Sequence, residues 1–92
     1  RNRFLTPEQR ALAPMLFARM TSAAAAMRAG TPPATALGAA EAALRQAGFV
    51  PDYLTLVEGP TMTPLEALPT AGGRIVAAAA LGSVRLLDNI AA

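Results

Sequence analysis

Apolar residues recur every three or four positions between residue 7 and Gly30, and this spacing predicts an amphipathic helix. Thr6 and Gln9 form a capping box at its start, and Pro7 occupies the first helical position, where a missing N–H costs nothing. Gly30 stands where a residue of left-handed conformation usually ends a helix. The predicted buried stripe consists of Leu12, Leu16, Met20, Ala23 and Met27.

A proline, Pro14, interrupts this first stripe. Proline inside a helix removes one backbone hydrogen bond and crowds the carbonyl group four residues earlier, which here belongs to Arg10. We therefore expect a kink over residues 10–14.

A second helix is predicted directly after Gly30. Thr31 would cap it, and Pro32 and Pro33 would occupy its first turn. Its buried stripe consists of Leu37, Ala40, Leu44 and Ala47. Because the turn between the two helices is very short, we expect them to be antiparallel neighbours, and their alanine-rich faces allow a close approach.

After the second helix the apolar residues alternate with polar ones. The stretch FVPDYLTLVEG is rich in β-branched and aromatic residues, and it predicts a strand over residues 52–58. The next stretch, TPLEAL, carries another helix-start signal, with Thr63 as the cap, Pro64 beside it and Glu66 three positions on. It predicts one short helical turn over residues 63–68.

The last apolar stretch, GGRIVAAAALGSVRLLDNI, mixes alanines that favour a helix with isoleucine and valines that favour a strand. Gly82–Ser83 decides between them, because a glycine followed by a small polar residue suits a two-residue hairpin turn. Such a turn pairs Leu81 with Val84 and places Ala79 opposite Leu86. Two further strands are therefore predicted.

These elements define the expected fold class, which is α+β. Two main antiparallel helices pack on one face of a three-stranded antiparallel β-sheet, plus one short helical turn. The length of 92 residues suits one domain, so residues 1–92 are expected to form a single unit.

Composition excludes several function classes. The sequence has no cysteine and no histidine, which excludes a disulfide framework, a thiolate nucleophile and imidazole acid–base or metal chemistry within these residues. No apolar run is long enough to predict a membrane span. The arginines are dispersed and few aromatic residues accompany them, so nucleic-acid binding is not predicted.

The acidic residues do not form a pattern that suggests a reaction. They are spread along the chain at Glu8, Glu41, Asp52, Glu58, Glu66 and Asp88. No two of them lie at a spacing that would place both on one helical face, so neither a metal site nor a pair of catalytic carboxylates is predicted. Gly72–Gly73 precedes a strand, which is the wrong context for a phosphate-binding loop. No catalytic residue is assigned, and residues 4–92 read alone identify no reaction.

Three stretches together resemble a known family. RNRFLTPEQRA, DYLTLVE and GGRIVAAAALGSVRLLDNI occur in the order and spacing of the C-terminal domain of pantothenate synthetases, also called pantoate–β-alanine ligases. The resemblance implies a larger enzyme whose N-terminal domain, a Rossmann-like nucleotidyltransferase with an HxGH-type motif, is absent from this sequence. In that enzyme the C-terminal domain closes over the active site like a lid.

The resemblance also implies a reaction and two binding residues. Family members join pantoate to β-alanine with ATP and Mg²⁺ through a pantoyl-adenylate and release AMP and pyrophosphate, and they are cytoplasmic homodimers. Arg1 and Asn2 match the end of the family's Met-Ser-Ser-Arg-Asn segment, which contacts the ATP phosphates. Because the histidine-containing site is missing, the 92 residues alone are expected to be inactive. The alternative is a small stand-alone protein-interaction module.

Overall fold

The computed structural model describes residues 6–70 and 72–92, which form a layer of helices on a single β-sheet. The helices α1 and α2 together correspond to the first predicted helix, and α3 corresponds to the second. In chain order, the described elements are α1 (Pro7–Leu12), α2 (Met15–Arg28), α3 (Pro33–Gln46), β1 (Val50–Val57), β2 (Arg74–Leu81) and β3 (Val84–Ala91).

The first helix begins and bends as its sequence predicts. The Thr6 hydroxyl accepts a hydrogen bond from the Gln9 N–H (3.1 Å), and the Gln9 side chain accepts one from the Thr6 N–H (3.0 Å), so the capping box is present. Helix α1 ends at Leu12, and α2 begins directly after Pro14. The expected kink is confirmed, since the ring of Pro14 leaves no N–H to continue the α1 ladder.

The turn between α2 and α3 differs in one detail from its prediction. Gly30 has a φ of 108°, and the Thr31 N–H donates to the Ala26 carbonyl (2.9 Å), which closes α2 with a left-handed cap. Thr31 therefore ends one helix and does not cap the next. Pro32 holds the N-cap position of α3 and no side chain caps that helix, so the predicted Thr31 cap is wrong.

The sheet has the order β1-β2-β3 with both pairs antiparallel, and its hairpin register is confirmed. Leu81 pairs with Val84 and Ala79 with Leu86 around the turn at Gly82, whose φ is 63°. Strand β1 begins two residues earlier than predicted, at Val50. Its register shifts between Pro51 and Tyr53, and such a bulge adds one residue to one strand and interrupts the simple alternation.

The predicted helical turn over residues 63–68 is wrong. Pro64 forms an isolated β-bridge with Val57, and the Leu65 N–H donates to the Leu56 carbonyl (2.9 Å). This segment runs back along the outer edge of β1 because an extended backbone can satisfy the hydrogen-bonding groups of that edge, which a helical turn would leave open. The Thr63 hydroxyl shares a hydrogen bond with the Thr61 hydroxyl (2.8 Å between the two oxygens), and it caps no helix.

The core lies between the helices and one side of the sheet. Leu16, Met20, Ala23 and Met27 of the first stripe are buried, as are Leu37, Ala40 and Leu44 of the second. From the sheet they meet Leu54, Leu56, Ile75, Ala77, Ala79, Leu81, Val84 and Leu86. The two helices on a three-stranded antiparallel sheet are thus confirmed. No described helix is long and apolar enough to cross a lipid bilayer.

The other side of the sheet carries no helix of the described chain, and we call it the open face. Cross-strand pairing places a row of residues from the three strands side by side on it. Among the residues on the open face are Val50, Tyr53, Thr55, Arg74, Val76, Ala78, Arg85, Leu87 and Asn89.

Replacing Gly82 with alanine will lower the free energy of unfolding by about 1–2 kcal/mol, because an L-residue at a positive φ is strained. The added methyl group would also meet the side-chain amide of Gln9 and disturb the capping box. Urea unfolding followed by circular dichroism measures the change. The matched control is Gly38→Ala, which lies exposed in α3 with no atom near the new methyl group and will stabilise by about 0.5–1 kcal/mol. Equal effects at both glycines would contradict this account of the turn.

Candidate functional site

The predicted phosphate contacts, Arg1 and Asn2, lie outside the described residues. The described chain begins at Thr6, and a contact made by Gln9 shows where this first helix starts relative to the sheet. Gln9, three residues on, lies against the turn at Gly82, where an added Cβ would meet its side-chain amide. The chain thus enters the fold beside the β2–β3 hairpin turn.

A cleft of about 270 Å³ lies close to this entry, between the break in the first helix and strand β3. It is lined by Arg10, Ala13, Pro14, Leu16, Phe17, Leu86, Leu87 and Asp88. Its volume is close to the lower end of the range of about 300–1,000 Å³ that is usual for small-molecule sites. We call it the β3 cleft.

The walls of the β3 cleft combine polar and apolar chemistry. Arg10 supplies a guanidinium group and Asp88 a carboxylate, whereas Phe17 and Leu87 are aromatic and aliphatic side chains that are 56% and 52% exposed. Such a mixture suits an apolar side chain flanked by a polar one. The sequence offered a signal for both apolar residues, since Phe17 is off the predicted stripe and Leu87 directly follows the inward-facing Leu86.

Asp88 also acts on the backbone of its own strand. Its Oδ1 accepts a hydrogen bond from the Asn89 N–H (2.8 Å), so this N–H does not take part in the ladder with β2. In antiparallel pairing, N–H groups of alternate residues point to the same edge. The N–H groups of Arg85 and Leu87 therefore point to the outer edge of β3 as well.

Two guanidinium groups on the open face are held by cross-strand partners. Arg85 Nη2 lies 2.8 Å from Asp52 Oδ2. Arg74 donates to Asn89 Oδ1 through both Nε (3.2 Å) and Nη2 (2.7 Å). Exposed pairs of this kind contribute only about 0–1 kcal/mol to stability. Their larger effect is to fix where the charged groups lie.

The described residues contain no group of three or more His, Cys, Asp or Glu side chains that could hold a metal ion. The acids noted in the sequence are separated by the fold. Glu41 pairs with Arg45 along α3 at 3.5 Å, and Asp52 pairs with Arg85 on the sheet. Tyr53 is 42% exposed on the open face. These residues show the packing and pairing of an ordinary domain surface.

Comparison with known proteins gives sequence matches over nearly the whole chain. A sequence model of the family described as "Pantoate-beta-alanine ligase" matches residues 1–91. The "Pantothenate synthetase" of Acidiphilium cryptum is 50% identical over 91 residues, covering 99% of this chain and 32% of the relative. That of Granulibacter bethesdensis is 44% identical over 91 residues, covering 98% of this chain and 32% of the relative.

The fold agrees with the same family. A crystal structure of pantothenate synthetase from Thermus thermophilus superposes with a TM-score of 0.85 at 36% identity, covering 97% of this chain and 32% of that one. The fold and the matched sequence both correspond to one segment of these longer proteins. The chain belongs to the pantoate-beta-alanine ligase family, which confirms the resemblance. It spans about a third of the length of the relatives it matches.

Proposed function

We propose that this chain is the C-terminal domain of a pantothenate synthetase and that residues 1–92 act as one lid domain over the active site of a preceding nucleotidyltransferase domain. The observation that carries the proposal is the match to the family over residues 1–91, within relatives about three times as long. The core shared by all three strands and the helices α2 and α3 supports treating the chain as one domain.

The reaction proposed for the full-length enzyme is the ATP-dependent condensation of pantoate with β-alanine. The pantoate carboxylate attacks the α-phosphorus of ATP and releases pyrophosphate, and the amine of β-alanine then attacks the resulting acyl-adenylate and releases AMP. The name of the family supports this assignment. Mg²⁺ would accompany the phosphates and be held chiefly by the preceding domain.

Arg1 and Asn2 are proposed to contact the ATP phosphates. A guanidinium group can donate two parallel hydrogen bonds to phosphate oxygens, and its charge can stabilise the departing pyrophosphate more strongly than bound ATP. What supports this role is that the match to the family includes residues 1 and 2. Closure of the lid would bring the segment to the nucleotide.

Two further properties are proposed for the full-length protein. It would be cytoplasmic, and it would form a homodimer through the preceding domain. Both follow from the resemblance to the family.

A full-length protein ending in these 92 residues will make pantothenate from pantoate, β-alanine and ATP, whereas the 92 residues alone will not. The reason is that the sequence here has no histidine for the HxGH-type motif. AMP release measured by a coupled assay, together with mass detection of pantothenate, checks both statements. Omitting pantoate is the control for unrelated ATP hydrolysis. A full-length protein that makes no pantothenate would overturn the proposed function, and AMP release by the short chain would overturn its dependence on the preceding domain.

A further inference from the structure

We propose that the open face of the sheet, and not the helical layer, is the surface with which this domain packs against the rest of the full-length enzyme. This inference rests on the proposed function, because it takes the preceding nucleotidyltransferase domain as the occupant. The inference specifies which surface of this domain makes the contact and what chemistry the facing surface must have.

The distribution of exposed apolar side chains favours the open face. Val50, Tyr53 and Leu87 are 63%, 42% and 52% exposed, and all three lie on it. Tyr53 and Leu87 flank the buried Ala78 in one cross-strand row, so their side chains form a continuous apolar strip. Phe17 belongs to α2 and not to the open face, and it meets Leu87 only across the β3 cleft at the edge of the sheet.

The outer side of the helices has a different character. Its exposed residues on α2 and α3 are small or polar, among them Arg19, Thr21, Arg28, Thr35, Ala42 and Gln46. Apart from Phe17 at the β3 cleft, no large apolar side chain is exposed on either of these two described helices. Water therefore solvates the helical layer at little cost, whereas the open face leaves apolar surface uncovered.

Both arginines on the open face already have a cross-strand hydrogen-bond partner. Arg85 is paired with the Asp52 carboxylate, whereas Arg74 is bonded to the neutral Asn89 amide, so a surface that closed over Arg74 would have to supply a negative charge. The facing surface should be apolar at its centre. At its rim it should offer carbonyl or carboxylate oxygens to the remaining N–H groups of the two arginines.

The size of the open face suits an interdomain contact better than a dimer of this chain. Three strands about 4.8 Å apart and eight residues long at about 3.3 Å each give roughly 400 Å². A stable complex between separate molecules needs about 800 Å² on each partner. Contacts between domains of one chain bury as little as about 600 Å² in total, or about 300 Å² on each side. A small contact suffices there because the linker keeps the two domains at a high effective concentration. A second copy is thus the weaker candidate.

Single cysteines test this inference directly, because the 92 residues contain none. Leu87→Cys reports on the open face, and Ala42→Cys, exposed on α3, is the matched control on the helical layer. Each variant is made in the full-length enzyme and in the short chain. The rate of modification by a charged maleimide is followed for the labelled peptide by mass spectrometry, and pantothenate formation is assayed in parallel.

We expect Leu87→Cys in the full-length enzyme to react at about one tenth of its rate in the short chain, or less. The reason is that only the undocked state, populated at about 10% or less, would expose this cysteine. Ala42→Cys should react equally fast in both. Equal rates at Leu87→Cys, or slowing at Ala42→Cys alone, in an enzyme that still makes pantothenate would overturn the inference while leaving the proposed function intact. Slow reaction of Leu87→Cys in the short chain that is relieved by dilution would instead identify a second copy as the occupant. Loss of pantothenate formation by the unmodified enzyme would overturn the proposed function itself.

Discussion

Replacing Leu44 with alanine will lower the free energy of unfolding of this chain by about 2–5 kcal/mol, the range typical of fully buried leucines. Leu44 is 0% exposed and is one of the few large side chains at the centre of the core, together with Met20, Leu56 and Ile75. Many of their neighbours are alanines, such as Ala23, Ala40 and Ala77, which cannot extend into the space that leucine would vacate. The total free energy of unfolding of a domain is about 5–15 kcal/mol, so this loss would be a large share of the stability.

Urea unfolding of the 92-residue chain, followed by circular dichroism, measures this effect as a shift of the midpoint. Leu87→Ala is the matched control, since it removes the same atoms from a side chain that is 52% exposed. We expect the control to change stability by no more than about 0.5 kcal/mol, as is usual for surface positions. A Leu44→Ala variant with the midpoint of the Leu87→Ala variant would show that the core is not organised around α3.

Replacing Arg1 with alanine in the full-length enzyme will slow formation of the acyl-adenylate by about 10²–10³-fold, the usual cost of removing one group that stabilises transition-state charge. The expectation rests on the proposed contact between Arg1 and the ATP phosphates. Single-turnover measurement of pyrophosphate release isolates this step from the later attack of β-alanine. The fold should be unaffected, because the capping box of α1 begins only at Thr6.

Arg3→Ala is the control for this second variant, because it removes an equal charge two residues away. The resemblance assigns Arg3 no nucleotide contact, so its single-turnover rate should stay close to that of the unmodified enzyme. An unchanged rate in Arg1→Ala, or equal losses in both variants, would argue against a specific phosphate contact by Arg1.

The parts of the fold that follow from short-range chemistry could be predicted from the sequence. The capping box at Thr6, the kink at Pro14 and the hairpin at Gly82–Ser83 each depend on residues within one turn of one another. The predicted helical turn over residues 63–68 failed because its outcome depends on residues outside that segment. Thr63 and Pro64 have the sequence of a helix start, but the open edge of β1 pairs with this segment, and tertiary pairing overrides a local signal.

The candidate site was only partly predictable for the same reason. Arg1 and Asn2 came from the resemblance to a family, and they stay predictions. The β3 cleft joins Arg10 and Phe17 to Asp88, which is more than 70 residues further along the chain. No periodicity or spacing within a helix or strand brings such residues together, so the cleft could be recognised only from the fold.

The bond from the Asn89 N–H to the Asp88 carboxylate bears on how the molecule behaves when concentrated. An outermost strand with unoccupied N–H groups can recruit a strand from another molecule and start a fibrous aggregate. Here an acidic side chain occupies one of those groups and places negative charge along the edge. An incoming strand would have to displace a bond of 2.8 Å and approach a carboxylate, so the part of β3 around Asn89 is a poor template for growth.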